Sequence, residues 1–287
     1  RMDARIWKPL WRPRAIVQLM HGMAEHIDRY APLARTLNAA GYLVAGLNHR
    51  GHGARTERLG YFAPEKGWDC LVEDAHNFSQ QLTSEYPGLP LILLGHSMGS
   101  FAAREYALRY GDELSALVLS GTGHYGPALC RAGRLLAWCS PRKRPAVLVD
   151  KIAFSANNKP FAPARTPFDW LSRDEAAVDA YIADPLCGFV FTGSAFADFF
   201  GGLLRLTDEK RLNALPAGLP VYFFSGDQDP VGQMGEGVKK TADSFRRAGV
   251  RSATVRLYPG GRHEMLNETN REEVISDLLS WLQDQGF

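Results

Sequence analysis

Short runs of apolar residues recur along the chain, each bounded by glycine, proline or polar residues. Ala15–Met20, Tyr42–Leu47, 89–94, Ala116–Ser120, 221–225 and Ala253–Tyr258 are five or six residues long and rich in Val, Ile, Leu, Ala and aromatics. Runs of that length and character predict strands buried on both faces. Residues 2–8 alternate loosely and predict an edge strand.

Between these runs the period changes. From Asp28, the residues Tyr30, Leu33, Leu37 and Ala40 fall on one helical face, and Gly41 ends the pattern. Residues 68–86 place Leu71, Val72, Ala75, Phe78 and Leu82 on one face ahead of Pro87. Further helices are expected over 101–110, 238–248 and 272–283. Strands alternating with helices imply a mostly parallel sheet covered on both sides.

The alternation stops at about Gly123 and resumes after Leu215. The intervening stretch is rich in proline and aromatics, among them Phe154, Phe161, Phe168, Trp170, Tyr181, Phe189, Phe191, Phe196, Phe199 and Phe200. It is expected to be an irregular insertion lying over the carboxyl edge of the sheet, where open α/β sheets place their sites. The expected division is a core of residues 1–122 and 216–287, with residues 123–215 as an inserted lid.

Composition narrows the class. The chain has 287 residues, 45% of them hydrophobic, enough for a large core. The formal net charge is +2 with both signs interspersed, so no nucleic-acid partner is expected. The Arg142-Lys143-Arg144 cluster reads as a solvated loop. The four cysteines, Cys70, Cys130, Cys139 and Cys187, form no paired motif and read as free thiols of a reducing compartment, with a Cys130–Cys139 bridge as the alternative. No apolar stretch approaches the ~20 residues that cross a bilayer. Arg1-Met2-Asp3-Ala4-Arg5 has no signal-peptide core and begins almost inside a strand, as if a few residues preceded it. A cytoplasmic protein without stable membrane insertion is expected.

The chemistry is concentrated where the fourth apolar run ends, at Gly95-His96-Ser97-Met98-Gly99. A Gly-x-Ser-x-Gly between a strand and a helix is a sharp turn that exposes the serine hydroxyl. Glycines at both ends let strand and helix approach. The helix N-terminus favours a developing anion. Ser97 is thus a candidate nucleophile. A serine needs a base, and the base needs an acid to fix its tautomer. His263, after the last strand, is the sole histidine beyond His124. The acid is Asp227 or Asp229, both on the loop after 221–225. Asp229 is favoured because it lies further from the strand and precedes Pro230, which leaves Asp227 as a turn residue. The oxyanion requires two backbone amides, one from Met98 and one from the loop after the early strand, where Met23 is the candidate.

The other histidines suggest no metal. His49…His52 and His21…His26 lie in glycine-bearing loops and lack the helical spacing of zinc proteases. His96 is expected to pack or hydrogen-bond. The Gly51–Gly53 loop does not match a phosphate-cradling pattern, so no cofactor is expected.

Taken together, these residues resemble the α/β-hydrolase superfamily, in the branch of monoacylglycerol lipases, lysophospholipase-like esterases and serine aminopeptidase hydrolases. The resemblance rests on His21-Gly22-Met23-Ala24-Glu25-His26…Arg29-Tyr30, Arg50-Gly51-His52-Gly53, Gly95–Gly99, Gly226…Asp229-Pro230-Val231 and Arg262-His263-Glu264. It implies an α/β-hydrolase fold with a cap and the triad Ser97, Asp229 and His263. It also implies oxyanion amides at Met23 and Met98, and head-group contacts from Glu25 and Arg29. The third polar position of that head-group cluster is Leu266 here, and the glycine-rich loop opens with Asn48 where relatives carry Asp.

The expected activity is hydrolysis of carboxylic esters, of monoacylglycerol, lysophospholipid or small acyl-ester type, through an acyl-enzyme. An amidase or aminopeptidase on the same triad is the alternative, with Glu25 holding the substrate ammonium. A binding protein that has lost the chemistry is the third reading.

Overall fold

A computed structural model describes residues 3–287. Seven strands form one sheet in the order β1-β3-β2-β4-β5-β6-β7, comprising β1 (Ala4–Trp7), β2 (Ala15–Met20), β3 (Tyr42–Leu47), β4 (Leu91–His96), β5 (Ala116–Ser120), β6 (Val221–Gly226) and β7 (Ala253–Tyr258). All neighbours are parallel except β1, which pairs antiparallel with β3. The expected edge strand is present in shortened form, and its position Met2 lies outside the described residues.

The period-two geometry of each strand sorts its side chains between two cores. Ile16, Met20, Leu91, Leu93, Leu117, Leu119, Val221 and Phe223 face one side. That side is covered by α2 (Gly67–Glu85), α3 (Met98–Tyr110) and α9 (Glu236–Arg247). Val17, Leu19, Ile92, Leu94, Val118, Tyr222 and Phe224 face the other side, covered by α1 (Ala31–Ala39) and α10 (Arg271–Asp284). The helix expected from Asp28 is broken in two: a 3-10 turn over Ile27–Tyr30, then α1 with Pro32 in its first turn.

The segment between β5 and β6 is more regular than expected. It holds α4 (Pro127–Trp138), α5 (Val147–Phe154), α6 (Glu175–Ala183), α7 (Gly193–Arg205) and α8 (Glu209–Leu212). Asp174, Thr192 and Asp208 cap α6, α7 and α8 with their side-chain oxygens. Phe191, Phe196, Phe199 and Tyr181 are buried, while the other aromatics of the segment are partly exposed. Leu129, Leu135 and Trp138 on α4, with Leu148 and Ile152 on α5, are exposed. All four cysteines are free, so the alternative Cys130–Cys139 bridge is absent. No helix among the described residues is long and apolar enough to cross a membrane.

Candidate active site

Ser97 occupies the turn between β4 and α3 with φ 52° and ψ −120°, a region that non-glycine residues rarely adopt. The two flanking glycines permit it. A Cβ on Gly95 would lie 2.4 Å from the Gly99 carbonyl oxygen, and one on Gly99 would lie 2.1 Å from that of Met20. The Ser97 amide donates to Ser120 O (2.9 Å), which ties the turn to β5. The Ser97 hydroxyl lies 2.9 Å from His263 Nε2.

His263 stands on the loop after β7. Its Nδ1 lies 3.0 Å from both Asp229 carboxylate oxygens. Asp229 is fully buried, and it accepts hydrogen bonds from Ser225 Oγ (3.0 Å) and the Val231 amide (2.9 Å). Burial opposes the Asp229 charge, but His263 and these donors outweigh it and hold the carboxyl below its ordinary range. Burial likewise opposes a charged His263. The Asp229 carboxylate prevails, aided by Glu264 and Glu25, and raises the imidazole above its ordinary value. Asp227 does not reach the histidine. Its Oδ1 accepts the Gly260 amide (2.8 Å), joining the loops after β6 and β7.

Met98 is the first residue of α3, where the amide precedes the intrahelical ladder. Met23 lies on the loop after β2, and its amide makes no hydrogen bond among the described residues. Gly22 brings that loop against the nucleophile, since a Cβ there would lie 3.2 Å from Ser97 Cβ. The loop is held from below by three buried histidines. His49 N donates to His21 Nε2 (2.9 Å), and the Ala24 amide donates to His52 Nε2 (3.2 Å). Burial keeps both His49 and His52 neutral, at about 3 and about 4. The Arg50–Gly53 stretch therefore supplies an acceptor for the loop that carries Met23, a role its spacing did not reveal.

Glu25 and Arg29 stand beside the triad, but they are engaged with protein groups. Glu25 Oε1 accepts from the Gly22 amide and from Tyr30 Oη (2.9 Å). Arg29 donates to Glu25 Oε2 (2.6 Å) and, through both Nη atoms, to Glu264 (2.8 and 2.7 Å). Asn267 donates to the same Glu264 carboxylate (2.9 Å). Burial disfavours the Glu264 anion, yet Arg29 lowers it to about 2. Glu264 directly follows His263, so its role is hidden in sequence behind that histidine. Glu25, Arg29, His96, Glu264, Leu266 and Asn267 line one small cleft. His96 is buried, and burial and His263 depress it to about 4. His96 Nδ1 lies 3.1 Å from Ser120 Oγ.

A hydroxyl hydrogen-bonded to an imidazole with a buried carboxylate behind it can attack a carbonyl carbon. Among known families, the model described as serine aminopeptidase, S33, matches residues 11–270. A monoacylglycerol lipase of Mycolicibacterium smegmatis is 32% identical over 96% of this chain and 91% of its own. The human monoglyceride lipase is 31% identical over 98% of this chain and 86% of its own. Among solved structures, a thermostable carboxyl esterase from Bacillus coagulans in complex with glycerol superposes with a TM-score of 0.91. It is 31% identical, covering 98% of this chain and 93% of that one.

Proposed function

The chain belongs to the serine aminopeptidase, S33, family of α/β hydrolases and is a carboxylic ester hydrolase, and from that premise we propose that it cleaves monoacylglycerol-type lipid esters with Ser97, His263 and Asp229. The observation that carries the catalytic assignment is the continuous hydrogen-bonded line from Ser97 Oγ through His263 to Asp229.

In the reaction, His263 Nε2 takes the Ser97 proton as Oγ attacks the ester carbonyl. The oxyanion turns toward the amides of Met23 and Met98. Protonated His263, stabilised by Asp229, passes its proton to the departing alcohol. Water, activated by the same imidazole, then releases the acid and restores the serine.

The polar wall of the cleft bears on the head group. Glu25, Arg29 and Glu264 together carry one net negative charge, and Glu25 Oε1 is already occupied by two donors. Such a wall repels phosphate and suits uncharged hydroxyls. It also weakens the amidase alternative, because the Glu25 carboxylate is committed within the protein. Residues 123–215 act as the cap, and the exposed apolar side chains of α4 and α5 face the lipid phase. The free cysteines agree with a cytoplasmic location.

The test is a comparison of kcat/KM on monoacylglycerol and lysophosphatidylcholine of one acyl chain, with an amino-acyl anilide as third substrate. The monoacylglycerol is expected to be preferred. Preference for the anilide would overturn the reading.

A further inference from the structure

Away from the nucleophile, three chemically different metal donors converge where the oxyanion loop meets the segment after α6. His26, Asp184 and Cys187 each offer one ligand atom, and those atoms lie within 4.8 Å of one another. His26 comes from the loop after β2, and the other two come from one tight turn, closed by the Cys187 amide on Asp184 O (3.0 Å). Their separation in sequence hides the group from any search by spacing.

The turn presents its donors in a fixed attitude. Asp184 Oδ1 is pinned by the Leu186 amide (2.8 Å), which leaves Oδ2 facing His26 Nε2 at 2.8 Å. The other ring nitrogen, His26 Nδ1, is buried and has no hydrogen-bond partner among the described residues. Asp28 Oδ2 lies 3.9 Å from it. Such an orphaned nitrogen is unusual for a ring 92% buried. It acquires a function if Nε2 binds a cation, because the ring proton then resides on Nδ1, directed at the Asp28 carboxylate. Closing that 3.9 Å gap to hydrogen-bond distance gives the carboxylate–histidine–metal relay that orients ligand imidazoles.

We propose that His26, Asp184 and Cys187 form a site for a divalent cation of the zinc class, with the fourth position left to water. One nitrogen, one oxygen and one sulfur suit a borderline-soft, tetrahedral ion rather than magnesium or calcium. Binding at Nε2 requires the ring proton of neutral His26 to sit on Nδ1 and releases the Cys187 thiol proton to solvent. Nε2 and Oδ2 separate to about 3.3 Å to accommodate bonds of about 2.0 Å. The neighbouring cations do not oppose the ion. Arg29 is neutralised by Glu25 and Glu264, and Arg5 is paired with Asp28.

The ion would staple the turn after α6 to the oxyanion loop. That junction already exists in hydrogen bonds, since Ala24 O accepts from the Gly188 amide (2.9 Å) and Tyr181 Oη (3.0 Å). A bound ion therefore raises the thermal midpoint of the full chain.

The experiment titrates the full-length, reduced protein with Co2+ alone. One ion per chain is expected, with a thiolate-to-cobalt charge-transfer band and the strong visible absorption of a tetrahedral site. Apparent affinity should rise about tenfold per pH unit, for the one thiol proton released. Cys187→Ser should abolish the band while keeping ester hydrolysis, and Cys139→Ser, at an exposed thiol, should retain it. Asp184→Asn should bind at least about tenfold more weakly. Absence of the band in the unmodified protein, or its persistence in Cys187→Ser, overturns the proposal.

Discussion

Arg29 grips Glu264 with both arms of its guanidinium, although 235 residues separate them. Because Arg29 also holds Glu25, which accepts the Gly22 amide, the pair links the oxyanion loop to the histidine loop. The protein thereby ties together the two loops to which the proposed mechanism assigns the oxyanion amide and the base.

Glu264→Gln should shift the pH profile. The Glu264 carboxylate helps raise His263 above its ordinary value, and catalysis needs the neutral imidazole. Removing the anion leaves Arg29 less balanced beside the histidine, so the acid limb of kcat/KM should move to lower pH. An unmoved limb would show that Glu264 does not act on the base.

The same variant should alter acid stability. A carboxyl held at about 2 in the folded protein, against about 4.3 unfolded, stabilises fully above the unfolded value. That contribution disappears as pH falls from about 4.3 through about 2. Glu264→Gln should flatten this part of the stability curve and, at neutral pH, cost about 3 kcal/mol by denaturant unfolding.

Asp229→Asn should keep the fold and lose about 10^4 in kcat. The amide can donate to Nδ1, leaving the histidine in the wrong tautomer to accept the Ser97 proton. Ser97→Ala should abolish fluorophosphonate labelling. Labelling that survives in Ser97→Ala would remove Ser97 as nucleophile.

Glu25→Gln should lower kcat by about 10- to 100-fold with little change in KM for a short, water-soluble ester. The expected mechanism is a loosened Gly22 amide, which displaces the neighbouring Met23 donor. A change confined to KM would assign Glu25 to substrate binding instead.

Exposed apolar residues of α4 and α5 should matter at a lipid surface alone. Leu148→Ser with Ile152→Ser should reduce adsorption to lipid vesicles and turnover of emulsified substrate. Hydrolysis of a soluble p-nitrophenyl ester should be unchanged. Equal losses on both substrates would contradict the assignment of that face to the lipid phase.

The buried strands were legible because burial on both faces leaves little but apolar residues, as in Ala15–Met20 and Ala116–Ser120. The reversed direction of β1 was not, since four alternating residues carry no information about their partner's polarity. The five helices between β5 and β6 escaped notice because several are short, and prolines and glycines interrupt their periodicity. At the site, the Gly-x-Ser-x-Gly turn and the post-strand loops directed attention to Ser97 and His263. Asp227 and Asp229, two positions apart on one loop, differ in reach to His263, and reach is a property of folded space. Glu264, His52 and Asp184 belong to contacts between distant segments, for which linear spacing offers no signal.

Ala24 receives two hydrogen bonds from the covering segment one residue after Met23. Should that cover swing aside to admit a long acyl chain, both bonds break and the neighbouring amide loses its anchor. Displacement of the segment between β5 and β6 would then be felt at Met23 through the peptide that joins it to Ala24.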